Sequence, residues 1–96
     1  MALRWTKRAT RNLEAILDHI ASENVEASRK PAVDWAQQFR QLEAFPLLGR
    51  AGPVTKVREL VLHENYIAHY RVKGKAVEII RVLHTKQQFP SSLQNG

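Results

Sequence analysis

Four histidines, His19, His63, His69 and His84, are the side chains of this chain best suited to move protons near neutral pH. No two of them stand four apart within a helical pattern, the spacing by which a helix presents two imidazoles to zinc. The chain also lacks any cysteine that could complete a mixed site. Neither a metal nor another cofactor is expected. His63 and His69 flank a turn between two apolar runs and read as surface residues. The serines at 22, 28, 91 and 92 fall in a loop, a helix start and a tail, outside any Gly-x-Ser-x-Gly elbow, and Gly49, Gly52 and Gly74 form no phosphate loop.

What remains is a basic, histidine-bearing second half. Cleaving a phosphodiester without a metal requires an acid or base titrating near neutrality and fixed cations for the charge that builds in the transition state. His84 could supply the first, and Arg58, Arg81 and Lys86 the second. Arg58, Arg71, Arg81, His84, Lys86 and Phe89 equally make a set of contacts for a protein partner. Alternation along "VRELVLH" puts Arg58 on one face with Leu60 and Leu62, company that suits a protein partner better than a phosphate cleft.

Periodicity gives the elements that must hold these residues. "ALRWT" (2–6) alternates and is too short for a helix, so it reads as a first strand. Thr6 is placed to cap a helix over 7–23, on which Leu13, Ile16, Leu17 and Ile20 share one face. After "SEN", the spacing of Ala32, Trp35, Ala36, Phe39 and Leu42 predicts a second helix, antiparallel to the first. Pro31 removes a hydrogen bond inside it; a kink there is preferred to a fresh start near Ser28.

The breakers of "FPLLGRAGP" end the helical half, and strands follow at 56–62, 66–72 and 76–84, joined by "HEN" and "KGK", where Gly74 can take a positive φ. Tyr66, Tyr70, Trp5 and Trp35 are expected in the core. The expected fold class is α+β: an N-terminal strand, an antiparallel helical hairpin and a three-stranded antiparallel meander whose edge the first strand can join. Residues 1–96 make one domain, with 91–96 a flexible tail.

Composition bounds the partners. An apolar fraction of 44% and a charged fraction of 25% are ordinary for a globular protein, and no apolar run reaches the length of a membrane helix. No membrane partner is expected. "MALRWTKRAT" carries no readable secretory signal, and a chain without cysteine fits a reducing cytoplasm. The net charge is +6, and residues 47–96 hold eight Lys/Arg against three Asp/Glu, so +5 of it lies in the second half. An acidic or polyanionic partner would be steered there.

Taken in order, "WTKRATRNLEAILDHI", "LEAFPLLGR", "VRELVL", "NYIAHYRV" and "VEIIRVLHTKQQFP" resemble the RelE/ParE superfamily, the toxin halves of bacterial type II toxin–antitoxin modules, over about residues 3–90. RelE-like members cleave messenger RNA on the ribosome with basic residues of the sheet; ParE-like members inhibit DNA gyrase and lack that set. Where RelE-like strands read Tyr-Arg-Leu-Val-Tyr, this chain reads Tyr66-Ile67-Ala68-His69-Tyr70. Of two basic positions on the preceding strand, Arg58 keeps its charge and Leu60 does not. The ending Leu83-His84 also resembles the ParE-like side.

The resemblance therefore implies a ParE-like toxin that inhibits DNA gyrase and is neutralised by a cognate ParD-like or RelB-like antitoxin. The alternative it leaves is a RelE-like, metal-independent endoribonuclease acting on ribosome-bound mRNA, with His84 as acid or base and Arg58, Arg81 and Lys86 as cationic stabilisers.

Overall fold

The computed structural model describes residues 1–52 and 54–87. In chain order these form β1 (Ala2–Trp5), α1 (Lys7–Glu23), α2 (Val25–Ala44), β2 (Arg50–Ala51), β3 (Arg58–His63), β4 (Tyr66–Lys73), β5 (Ala76–His84) and a 3-10 turn, Thr85–Gln87. Phe89 and the 91–96 tail lie outside the described residues.

The first helix begins and ends where its periodicity says. Thr6 is extended, and its hydroxyl accepts from the Ala9 amide at 3.0 Å, satisfying one of the four amides a helix start leaves without a partner. Asn24 closes α1 by donating its amide to the Ile20 carbonyl, and its side chain opens α2 by accepting from the Glu26 amide at 3.0 Å. The link between the helices is thus one residue rather than "SEN".

Helix α2 runs through Pro31 with no restart near Ser28. An interior proline costs about 3 kcal/mol. Burying Trp35, Phe39 and Leu42 on the same helix returns roughly 1.5–3 kcal/mol each, so packing outweighs the missing hydrogen bond.

The five strands form one sheet in the order β1-β5-β4-β3-β2. β1 lies parallel to β5 and every other pairing is antiparallel. The expected meander is present, Gly74 takes φ 62° in its second turn, and the first strand joins it beside β5. β2 was not expected: two residues inside the breaker cluster pair with Glu59 and Arg58.

Both helices cover one sheet face. Leu60, Leu62, Ala68, Tyr70, Val77, Ile79 and Val82 pack there against Ala9, Trp35, Phe39 and Leu42. The Trp5 ring meets Phe39 edge-on at 4.6 Å, and Tyr66 tilts against Trp35 at 5.4 Å. Alternation sends Glu59, Ile67, His69, Arg71, Glu78 and Arg81 to the far face.

One irregularity decides what meets what on that far face. From the turn, Lys73 to Tyr70 pair with Ala76 to Ile79; then Ile80 is skipped, and His69 pairs with Arg81. Without this bulge His69 would face Ile80. Thr6 ties the bulge down: its amide donates to the Ile79 carbonyl at 3.1 Å and its hydroxyl to the Ile80 carbonyl at 2.9 Å. The residue that caps α1 thereby also fixes the register of β5.

Candidate functional site

Four consecutive strands contribute one residue each to a polar row across the far face: Arg50, Glu59, His69 and Arg81, each in register with the next. Arg50 Nε donates to Glu59 Oε1 at 3.1 Å, His69 Nε2 lies 3.1 Å from Glu59 Oε2, and Arg81 Nε donates to His69 Nδ1 at 2.7 Å. A guanidinium can only donate, so Nδ1 carries no proton and the imidazole proton sits on Nε2, facing the carboxylate. His69 is 1% exposed and Glu59 6%.

This corrects the reading of His69 as a surface residue: only the partners in register on both sides make its burial tolerable. Burial lowers its pKa below the ordinary 6.5, and the charge of Arg81 pushes the same way, against the Glu59 hydrogen bond and charge. His69 is therefore neutral at pH 7, with its basic lone pair taken up by Arg81. Arg81, half-buried, has its own pKa lowered by burial and by the charge of Arg8.

Arg71 lies in the next row of the same face, donating Nε to Glu78 Oε1 at 2.8 Å, with Arg4 in register on the other side of Glu78. Arg58 belongs to the helix-covered face. It stands opposite Tyr70, and its Nη1 donates to the Gly49 carbonyl at 2.9 Å, anchoring the loop that leads into β2.

His84 and Lys86 are elsewhere again. His84 ends β5 opposite Tyr66, whose ring it meets edge-on at 5.1 Å, and its Nδ1 accepts from the Lys86 amide at 3.1 Å. Together with Asn12, Ile16, His19 and Tyr66 they line a cleft of about 600 Å³ between α1 and the end of β5. The Asn12 side chain holds this end of the strand by accepting from the Val82 amide.

The sequence-predicted residues thus fall into three places. Arg58 faces Tyr70 while His84 faces Tyr66, four residues and about 13 Å away along β4, and Arg81 points to the opposite face. His84, Arg58, Arg81 and Lys86 are not brought together around one reacting atom. Leu60 and Ile67, where RelE-like chains carry cations, are 6% and 1% exposed and lie on opposite faces. Sequence reasoning missed Glu59 and Arg50. Glu59 within an apolar strand, set directly opposite His69 by the hairpin register, was the available signal. Among the described residues no three His, Asp or Glu side chains gather as a metal-holding group, and no helix is long and apolar enough to cross a membrane.

Comparison with known proteins supplies the context. The family model of the ParE toxin of the type II parDE toxin–antitoxin system matches residues 3–89. The toxin candidate Y4kP of Sinorhizobium fredii is 36% identical over 92 residues, 95% of each chain, and toxin RelE2 of Caulobacter vibrioides is 34% identical over 80 residues, 83% of this chain and 90% of that one. Among solved structures, a chain of the chromosomal ParDE toxin–antitoxin system from P. aeruginosa superposes with a TM-score of 0.77 at 35% identity, covering 88% of this chain and 95% of that one. A copper-bound mutant toxin from Helicobacter pylori shares the fold, with a TM-score of 0.60 at 15% identity over 93% of this chain and 99% of its own.

Proposed function

Because the chain belongs to the ParE toxin family of type II toxin–antitoxin systems, we propose that it inhibits DNA gyrase and that a cognate antitoxin neutralises it. The observation that carries the choice of target is the burial of Leu60 and Ile67 on opposite sheet faces. Neither can stabilise a phosphorane or move a proton, so metal-free RNA cleavage lacks two of its three sheet cations.

The antitoxin, ParD-like or RelB-like, would lay a net-acidic amphipathic segment over the helical hairpin and sheet. Leu3, Trp5, Leu13, Leu17 and Trp35 line an apolar groove of about 300 Å³ whose lining also includes Arg40 and Glu43, a fit for apolar anchors with a carboxylate placed toward Arg40. The positively charged second half of the chain would steer the encounter. That a solved relative comes from a ParDE system supports this partner.

Supercoiling by purified gyrase, titrated with the chain, tests the target. Loss of supercoiling supports the reading, and unchanged activity over a wide titration sinks it. A RelE-like mRNA interferase is the second reading, favoured by the relative named toxin RelE2. New cleavage sites in ribosome-bound mRNA, mapped by primer extension, would select it; an SOS response without cleavage would select gyrase.

A further inference from the structure

Among the described residues, Arg81 is a far-face cation whose side chain is held by a neutral group. Its Nε donates to His69 Nδ1, which leaves both Nη groups to reach another acceptor. Arg71, by contrast, is joined to Glu78 and Arg50 to Glu59. Arg8 of α1 adds its own positive charge beside Arg81. A half-buried guanidinium that feels the positive charge of Arg8 and is oriented by an uncharged imidazole keeps its charge for an outside anion.

We propose that His69 is a positioning residue: its unprotonated Nδ1 fixes the Arg81 guanidinium in the orientation that receives a carboxylate of the gyrase target, and Glu59 locks the imidazole tautomer that makes this possible. The inference rests on reading Arg81 as a partner contact. The charged groups facing His69 among the described residues are Glu59 from β3 and Arg81 from β5, with Arg50 of β2 behind Glu59 and Arg8 of α1 beside Arg81. A proton taken from solvent at Nδ1 turns the acceptor into a donor. It then opposes the Arg81 Nε–H at 2.7 Å while strengthening the bond to Glu59. Arg81 is released and the positioned contact is lost.

Two measurements on the full chain separate the relay from the contact. Nitrogen NMR of His69 and of the Arg81 Nε–H, followed from about pH 7.5 to about pH 5, reads the relay directly. The expected result is an Nε2–H tautomer at the upper pH and loss of the protected Arg81 signal as His69 titrates. His69→Asn, whose Oδ1 can take the place of Nδ1 and does not titrate, should keep that signal throughout, and His69→Leu should lack it at every pH. A proton on Nδ1 at neutral pH, or an Arg81 signal indifferent to His69 titration, overturns the relay.

Gyrase supercoiling then reads the contact. Arg81→Ala should raise the toxin concentration for half-inhibition on the order of tenfold. His69→Leu should match it, the double variant should be no worse, and His69→Asn should restore inhibition. If Arg81→Ala inhibits like the parent, the contact falls whatever the NMR shows. If the parent itself does not inhibit gyrase, the gyrase reading falls, and the NMR titration still decides the relay.

Discussion

The Tyr70 hydroxyl, at the end of a fully buried ring, accepts a hydrogen bond from the Gly49 amide at 2.7 Å and thereby joins β4 to the loop that becomes β2. Burial raises the phenol's pKa, against that bond and the charge of Arg58, so it stays protonated throughout the ordinary range. Gly49 has no room for a side chain: a Cβ there would stand 2.6 Å from the Glu59 carbonyl oxygen and 2.7 Å from the Tyr70 ring. Tyr70→Phe leaves a buried amide without an acceptor and should cost about 1–3 kcal/mol in urea denaturation. Gly49→Ala, which must displace backbone, should cost at least as much and should also loosen the Arg50 pairing to Glu59.

Stability should depend on pH through His69. Its pKa is lowered in the folded chain, so between that value and the ordinary 6.5 the unfolded chain binds the extra proton. The contribution is fully present above about pH 6.5 and is lost as pH falls toward the folded value. Urea midpoints for the parent should therefore drop on acidification through this window. Those of His69→Asn should drop less, since Asn removes the titrating group and keeps an acceptor for Arg81. Equal slopes would show that other groups govern the acid limb.

Thr6 performs two tasks, capping α1 through the Ala9 amide and holding the bulged Ile80 carbonyl through its hydroxyl proton. Thr6→Ser keeps both bonds and Thr6→Ala loses both. The alanine variant should lose about 1 kcal/mol from the cap and a similar amount from the tie to β5. Hydrogen exchange should then show faster opening at Arg81 and Val82 than in a cap-only defect, because the register past the bulge is held at this point.

The legible parts of this molecule are those that local chemistry decides. The span of α1 follows from Thr6 and the Leu13, Ile16, Leu17, Ile20 stripe, and that of β5 from a β-branched run that leaves a helix nothing to gain. β2 was illegible because Arg50 and Ala51 have no strand signal of their own; Glu59, Arg58 and Tyr70 hold them from a distance in sequence. His69 was misread for the same kind of reason. Its burial depends on Arg81 standing opposite, and that depends on one skipped residue. A bulge leaves no mark in composition or period. The Arg58, Leu60, Leu62 face was right, whereas the common site imagined for Arg58, Arg81 and His84 required strands to present one face throughout.

The start of α1 offers a test that sets stability against function. No acidic residue occupies its first turn; Lys7 and Arg8 stand there instead, where the helix dipole favours negative charge. Arg8 also presses its charge on Arg81. Arg8→Glu should therefore stabilise the fold by roughly 0.3–1 kcal/mol from the dipole alone, with a further gain from the new attraction to Arg81. A basic residue standing against its local preference is explained if the positive edge serves a partner. The same variant should then weaken gyrase inhibition, by pairing Arg81 internally and reversing the local field, and the loss should shrink at high salt, where screening removes the long-range part. Thermal unfolding and supercoiling titrations on one preparation check both halves. A variant that is more stable and equally inhibitory would show that the Arg8 and Arg81 edge takes no part in engaging the target.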